Sequence, residues 1–331
     1  MKNEPPKIDW NRLRALRDLF LQPDPIPEPY WESNRQLQDY DITLGERIGW
    51  KWDAVIRELK LRGWRPPSSS LTDLGCGTAV ASRRMLKAFP GHFKKVNLWD
   101  HSPKAMAYAR QKIRHEHPFV KVVCLSAPPE APYDLVLVSH VLTELSDEIA
   151  AEWMERLDKA RGVMWVEPGT YAMSRMLIEV REGLREDFAL LAPCTHQEQC
   201  GLLAEGNEGH WCHHFAPAPA GAHQDPFWGH FRKEMNLDIG PVAYSFLVLG
   251  REAPNQEAYS HLIGGPIKQP KFLRVLSCQK EDVAELVASR KAGEVYKLLK
   301  NGTTPALYRF ERRKNRISGG EWMGGESGDK A

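Results

Sequence analysis

The heptapeptide Asp73-Leu74-Gly75-Cys76-Gly77-Thr78-Ala79 decides how the rest of this chain is read. The short apolar run before it, Leu71 to Leu74, has the look of a strand, and Val80 to Ala88 after it has helical spacing. A glycine at 75 permits a tight bend and lets a ligand approach the backbone. Backbone N–H groups at the start of the following helix favour an anionic ligand group. Asp100 closes the next apolar run, 27 residues after Asp73, where a carboxylate can accept both hydroxyls of a ribose. A βα turn that merely needs glycine has the strand and the helix as well, but does not also require the acid at the end of the next strand. The stretch therefore predicts a nucleotide-type cofactor site built on Asp73, Gly75, Gly77 and Asp100.

Working outward, strands are predicted at Leu71 to Leu74, Lys95 to Trp99, Val120 to Leu125, Leu135 to Ser139 and Gly162 to Glu167. Helices are predicted at Val80 to Ala88, Pro103 to Glu116, Glu148 to Ala160 and Tyr171 to about Leu190. Strands alternating with helices of this length imply parallel βαβ units, hence a doubly wound α/β sheet. Residues 1–69 form a helical lead-in, with a period near 3.6 in Trp10, Leu13, Leu16, Leu19 and Phe20 and a proline-rich loop at Pro23 to Pro29. The sheet domain is placed at 70–190 and a cysteine- and histidine-rich insertion at 191–235. Strands at Ala243 to Leu249 and Phe272 to Ser277 complete the sheet within 236–317, and 318–331 is a disordered, glycine-rich tail.

The form of the turn, with an acid two residues before the first glycine, resembles the S-adenosylmethionine pattern of class I methyltransferases rather than the NAD pattern of dehydrogenases. The run from Tyr133 to Leu142 is similar to the fourth-strand motif of those enzymes and places Ser139 and His140 at a strand's C-terminal end, where ligands of open α/β sheets lie. Ser126 is a weaker candidate, near the adenine. No Asn-Pro-Pro-aromatic tetrapeptide follows the fourth strand, and no paired-cysteine pattern marks attack on a pyrimidine carbon, so no catalytic residue is assigned. Glu167 either faces substrate or caps the next helix. Cys76 and Cys124 read as small packed residues.

Cys194, Cys200 and Cys212 crowd into one poorly periodic segment together with His196, His210, His213 and His214, and Cys278 follows a strand 66 positions later. A segment of that length without apolar periodicity is uncommon unless something organises it. Four thiolates complete a tetrahedral zinc site or an iron–sulfur cubane, and without a CxxC pair spacing alone does not choose between them.

Composition sets the remaining bounds. The chain has 331 residues and a net charge of +2, yet Pro241 to Arg316 holds 14 Lys and Arg against 7 Asp and Glu. That asymmetry predicts contact with a polyanion, with Lys268, Lys271, Arg274, Arg312, Arg313 and Lys314 as phosphate candidates. No secretory or transit pattern and no membrane-length apolar run is present, which predicts a cytoplasmic protein without a membrane partner.

Taken in order, Asp-Leu-Gly-Cys-Gly-Thr-Ala (73–79), Ser-His-Val-Leu-Thr-Glu-Leu (139–145), Val-Glu-Pro-Gly-Thr (166–170) and Ala-Pro-Cys-Thr-His-Gln-x-x-Cys (192–200) followed by Trp-Cys-His-His-Phe (211–215) resemble the methyltransferase-like small-ribosomal-subunit protein family. The similarity runs from about residue 30 to residue 310, and the cysteine segment is its most specific part. The resemblance implies a class I methyltransferase fold, S-adenosylmethionine as cofactor, and a 4Fe–4S cluster on Cys194, Cys200, Cys212 and Cys278, with zinc as the alternative. It also implies association with the small ribosomal subunit and its rRNA during assembly; the short lead-in without a transit pattern is a departure that predicts a bacterial, cytoplasmic member, expected to be a monomer when free. Three functions follow: an rRNA methyltransferase, a non-catalytic RNA-binding assembly factor, or a small-molecule methyltransferase with structural zinc. The basic C-terminal third argues against the last.

Overall fold

In the computed structural model, residues 7–22, 30–130, 134–145, 147–252, 259–280 and 282–324 are described. The proline-rich loop at 23–29, Tyr133 and residues 325–331 lie outside the described residues. The lead-in comprises α1 (Trp10–Phe20), α2 (Asn34–Tyr40) and α3 (Glu46–Leu61), the last two joined by a π-helical turn, Asp41–Gly45. Asp9 and Ser33 cap the first two, each accepting from a backbone N–H in the first turn.

The sheet domain follows as β1 (Ser70–Leu74), α4 (Val80–Ala88), β2 (Lys95–Trp99), α5 (Pro103–Glu116), β3 (Lys121–Cys124), β4 (Leu135–Ser139), α6 (Asp147–Leu157), β5 (Gly162–Pro168), α7 (Tyr171–Leu184) and β6 (Ala189–Ala192). It is completed by β7 (His214–Ala216), α8 (Pro226–Met235) and β8 (Val242–Gly250). The strand order is β3-β2-β1-β4-β5-β8-β6, with β7 also paired to β8. From β3 to β5 the pairings are parallel, and β8 runs antiparallel between β5 and β6. The chain reverses its direction of winding between β1 and β4, which makes the C-terminal ends of these strands the switch point of a doubly wound sheet. Because successive side chains of a strand point to opposite faces, Leu135 and Leu137 pack with α3, α4 and α8, while Val136 and Val138 pack with α6 and α7. All four are buried, as a sheet covered on both faces requires.

Three boundaries differ from the sequence reading. Helix α7 stops at Leu184, and Ala189–Ala192 is a strand instead; its alanines and leucines suit either state, and pairing with β8 decides. The 191–235 segment is more regular than its composition suggests: α8 buries Trp228, Phe231 and Met235 at helical spacing. The C-terminal region does not simply complete the sheet. Beyond β8, β9 (Ser260–Lys268), β10 (Phe272–Cys278), β11 (Val283–Ser289), α9 (Glu294–Asn301), β12 (Leu307–Arg313) and β13 (Arg316–Trp322) form a separate closed barrel in the order β10-β11-β13-β12-β9. Its core holds Leu262, Leu273, Val275, Leu286, Tyr308 and Ile317, covered by Val295 and Leu299 of α9. The expected disordered tail is thereby corrected at 318–322, which belongs to β13, where main-chain pairing with β12 organises a glycine-containing stretch.

Candidate functional site

The turn after β1 is built on left-handed backbone. Gly75 and Gly77 have φ of +67° and +49°, and Ala79 at the head of α4 has +56°. A Cβ on Gly75 would meet Val141 Cγ1 at 2.8 Å, whereas one on Gly77 would meet nothing within 4 Å. The first glycine is thus fixed by both conformation and packing, the second by conformation alone. Asp100, at the end of β2, accepts from Gly77 N and from Ser102 N, both at 2.8 Å, so the carboxylate is locked against the turn. Asp73 lies beneath the turn rather than facing the cavity. It is buried, accepts from Ser82 Oγ at 2.6 Å, and burial pushes its carboxyl up to about 7.

A cavity of about 200 Å³ opens above this turn, at the C-terminal ends of β1, β2 and β4. Gly75, Gly77, Asp100, Ser139 and His140 all line it, together with Trp99 and Glu144. Exposed Ser126 does not. The other wall comes from the lead-in: Phe20, Tyr30, Trp31 and Tyr40 pack edge-to-face around it, and Tyr30 Oη donates to Glu144 Oε2 at 3.2 Å. Burial, then the charges of Glu144 and Asp100, push the Tyr30 hydroxyl up. The cavity therefore pairs aromatic walls with two carboxylates, a lining suited to a flat base and a positive charge.

Behind His140 lies a polar group that the sequence reading missed. Lys51 on α3 is buried between Trp50 and Trp52, and its Nζ lies 3.1 Å from His140 Nε2. His140 adopts φ +59°, and burial and the neighbouring Lys51 push its pKa down. Trp52 Nε1 donates to Ser139 Oγ at 2.9 Å. Glu167 is wholly buried and accepts from the N–H groups of Val141 and Leu142 and from Trp165 Nε1, so it holds the start of the short 3-10 turn Leu142–Glu144 after β4 and does not cap the helix that follows it in sequence, α7. Burial pushes Glu167 up to about 7 and Lys51 down to about 7. A lysine inside the apolar stripe of α3, flanked by two tryptophans, was the available signal.

The four cysteines of the insertion and barrel lie within one another's electrostatic reach. Burial raises Cys212 well above its ordinary value, and Cys200, Cys194 and Cys278 add to the rise. Burial likewise pushes Cys200 up to about 11, with Cys194 adding to it. Arg181 of α7 is buried beside them and donates from Nε to Cys194 Sγ at 3.3 Å. Cys212 Sγ stands 3.6 Å from His214 Nε2, and Cys278 Sγ 3.9 Å from His196 Nε2. Among the described residues, however, no group of three or more His, Cys, Asp and Glu side chains stands where it could hold a metal ion, so the expected metal-binding insertion is present as neighbouring thiols and not as a formed site. Cys76 is buried within the turn, where it lines the cavity, and Cys124 Sγ lies against Met106 O at 3.7 Å, both apart from that group. Among the described residues no helix is long and apolar enough to cross a membrane.

Solved structures similar to this chain include two S-adenosylmethionine proteins. The magnesium protoporphyrin IX methyltransferase of Synechocystis PCC 6803 with S-adenosylmethionine bound is 16% identical, over 76% of this chain and 100% of that one, at a TM-score of 0.40. An S-adenosylmethionine-dependent methyltransferase of Clostridium acetobutylicum is 15% identical, over 44% and 61%, at 0.29. At such scores the likeness is no guide to activity. No curated protein matches the sequence. The family model described as mitochondrial small ribosomal subunit Rsm22 matches residues 49–303, a span that contains the cofactor turn, the cavity's strand ends and all four clustered cysteines. The chain belongs to that family.

Proposed function

We propose that this protein binds S-adenosylmethionine in the cavity above the β1 turn and acts on the rRNA of the small ribosomal subunit during assembly. The observation that supports the reading is the lining: Gly75 and Gly77 open the floor, Asp100 is held at the end of β2 where it would accept from a ribose, and Tyr30, Trp31 and Tyr40 offer aromatic walls to a base. The family match supports the ribosomal partner. When bound, the cofactor supplies a methyl group on a cationic sulfur. The protein orients it, excludes water with the lead-in aromatics, and presents the acceptor at the edge near Ser139 and His140. Titration calorimetry tests the cofactor. Micromolar binding of S-adenosylmethionine that Gly75→Val abolishes is expected, and binding of NAD instead would sink the assignment. Co-sedimentation with purified small subunits tests the partner.

Cys194, Cys200, Cys212 and Cys278 would hold a 4Fe–4S cluster. Four half-buried thiols beside a buried guanidinium suit an anionic cluster, because Arg181 offsets charge that partial burial otherwise opposes. Binding and local ordering are then one equilibrium, which closes the thiols around the metal. Anaerobically purified protein should be brown, with about four iron and four sulfide per chain. Serine at any of the four should lose iron, whereas Cys76→Ser and Cys124→Ser should keep it. A colourless protein with one zinc would refute the cluster. A non-catalytic RNA-binding factor is the second reading. It is favoured by the absence, among the described lining residues, of a recognisable methyl-acceptor motif. Radiolabelled methyl transfer to immature subunits separates the two readings.

A further inference from the structure

The connectivity of the C-terminal barrel carries an inference that rests on the RNA reading above and deepens it. Numbered from its own start, the barrel runs strand 1 (β9), 2 (β10), 3 (β11), helix (α9), 4 (β12), 5 (β13), closed in the order 1-2-3-5-4. Strand 3 pairs strand 5 in parallel, and every other pairing is antiparallel. This is the Greek-key barrel whose strand 2–3 face and 1–2 and 4–5 turns take oligonucleotides or oligosaccharides.

The registers show what that face and the two strands beyond it, β13 and β12, present. Arg274 lies opposite Val287, Val287 opposite Arg316, and Arg316 opposite Arg313, so one transverse row across four strands carries three arginines. Like charges placed directly opposite, as at Arg313 and Arg316, destabilise a sheet; packing gives no reason for them here. Arg274 is offset by Glu285 at 3.4 Å, but among the described residues no ion pair satisfies Arg313 or Arg316. In the next row Phe272 points to the same outer side, 36% exposed. Lys268 and Lys271 flank it on the β9–β10 turn, and Lys314 sits at the β12–β13 turn with φ +53°. The other half of the face is covered. Leu276, Cys278 and Val283 pack under Cys200 and Leu202 of the cysteine segment.

We infer that the bare half of this barrel face, Phe272 with the Arg274–Arg316–Arg313 row, binds a short single-stranded RNA segment. The arginines track phosphate and the ring stacks on a base, a combination that duplex RNA cannot use because its bases are already stacked. The excess of positive charge selects a polyanion over a neutral oligosaccharide.

The test uses the full chain and a fluorescein-labelled 12-nucleotide RNA, alone and annealed to its complement. The single strand should bind at least about tenfold tighter than the duplex. Phe272→Ala should weaken single-strand binding by about five- to one-hundredfold without changing its salt slope, and Phe272→Tyr should restore it. Arg313→Ala with Arg316→Ala should instead flatten the slope, by about 0.7 per lost contact. Equal binding of strand and duplex, an unchanged Phe272→Ala, or displacement by a neutral oligosaccharide would overturn the inference. If such a chain still co-sediments with small subunits, the inference alone fails; if it does neither, the RNA reading fails with it.

Discussion

Single residues govern the cavity. At Gly75 even alanine must adopt φ +67° and meet Val141 at 2.8 Å. We expect Gly75→Ala to cost about 2–3 kcal/mol in urea unfolding, and Gly77→Ala, with open space, only about 1 kcal/mol. Glu167 gives a pH signature. The folded state keeps its proton up to about pH 7, while the ordinary value is 4.5. Between these values the folded protein binds more protons, so its stability falls as pH rises. Glu167→Gln removes this loss and pushes Lys51 further down, which acts in the same direction. Relative to wild type, the variant should gain as much as about 3 kcal/mol between pH 4.5 and 7, read by unfolding at both ends. Lys314 carries an opposite trade. Lys314→Gly relieves a left-handed backbone worth about 1 kcal/mol, yet removes a cation proposed to contact phosphate, so melting temperature should rise while RNA affinity falls.

At the scale of elements, the lead-in is part of the site. Phe20 of α1 meets Tyr30, Trp31 and Tyr40 edge-on, and all four line the cavity. Phe20→Ala should destabilise by about 2–4 kcal/mol in thermal unfolding and weaken cofactor binding in calorimetry. The alternation of strand and helix from β1 to β5 was legible in the sequence, because each element there is a local apolar run with its own period. So were Gly75, Gly77, Asp100, Ser139 and His140 as cavity residues, since a sheet's C-terminal edge follows from strand direction. The wall made by Tyr30, Trp31 and Tyr40 was not, since Tyr30 and Trp31 lie in an irregular stretch before α2 and dock through tertiary contacts with Phe20 and Tyr40 that no local period encodes. Nor was the barrel. Its closure joins β9 to β12 and β11 to β13 across long stretches of sequence, and no local period encodes such pairing.

Across the whole molecule, a few buried polar contacts tie the sheet domain, the cysteine segment and the barrel together. Arg62, at the end of α3, donates to the carbonyls of Leu191, Pro193 and Cys194 and pairs with Glu58 at 2.6 Å. His261 of β9 lies 3.6 Å from the same glutamate and stacks on His214 of β7 at 4.2 Å. Arg62→Met should therefore cost about 3–5 kcal/mol in urea unfolding, since Glu58 would be left buried and uncompensated. It should also speed proteolysis within 191–225, a loss that no surface arginine variant should reproduce.

The cover that the cysteine segment lays over Leu276, Cys278 and Val283 sets a length. On β10 only the stretch from Phe272 to Arg274 is left bare for base stacking, which at about 3.4 Å per residue spans roughly 10 Å. That is room for about three stacked nucleotides, below the usual occlusion of about 4–16 for a barrel of this kind. A protein with so short a footprint does not coat a strand, and neighbouring copies have no reason to bind cooperatively. It is built instead to find one exposed loop or strand end and to stay there as a single copy, so the number bound per small subunit should be one.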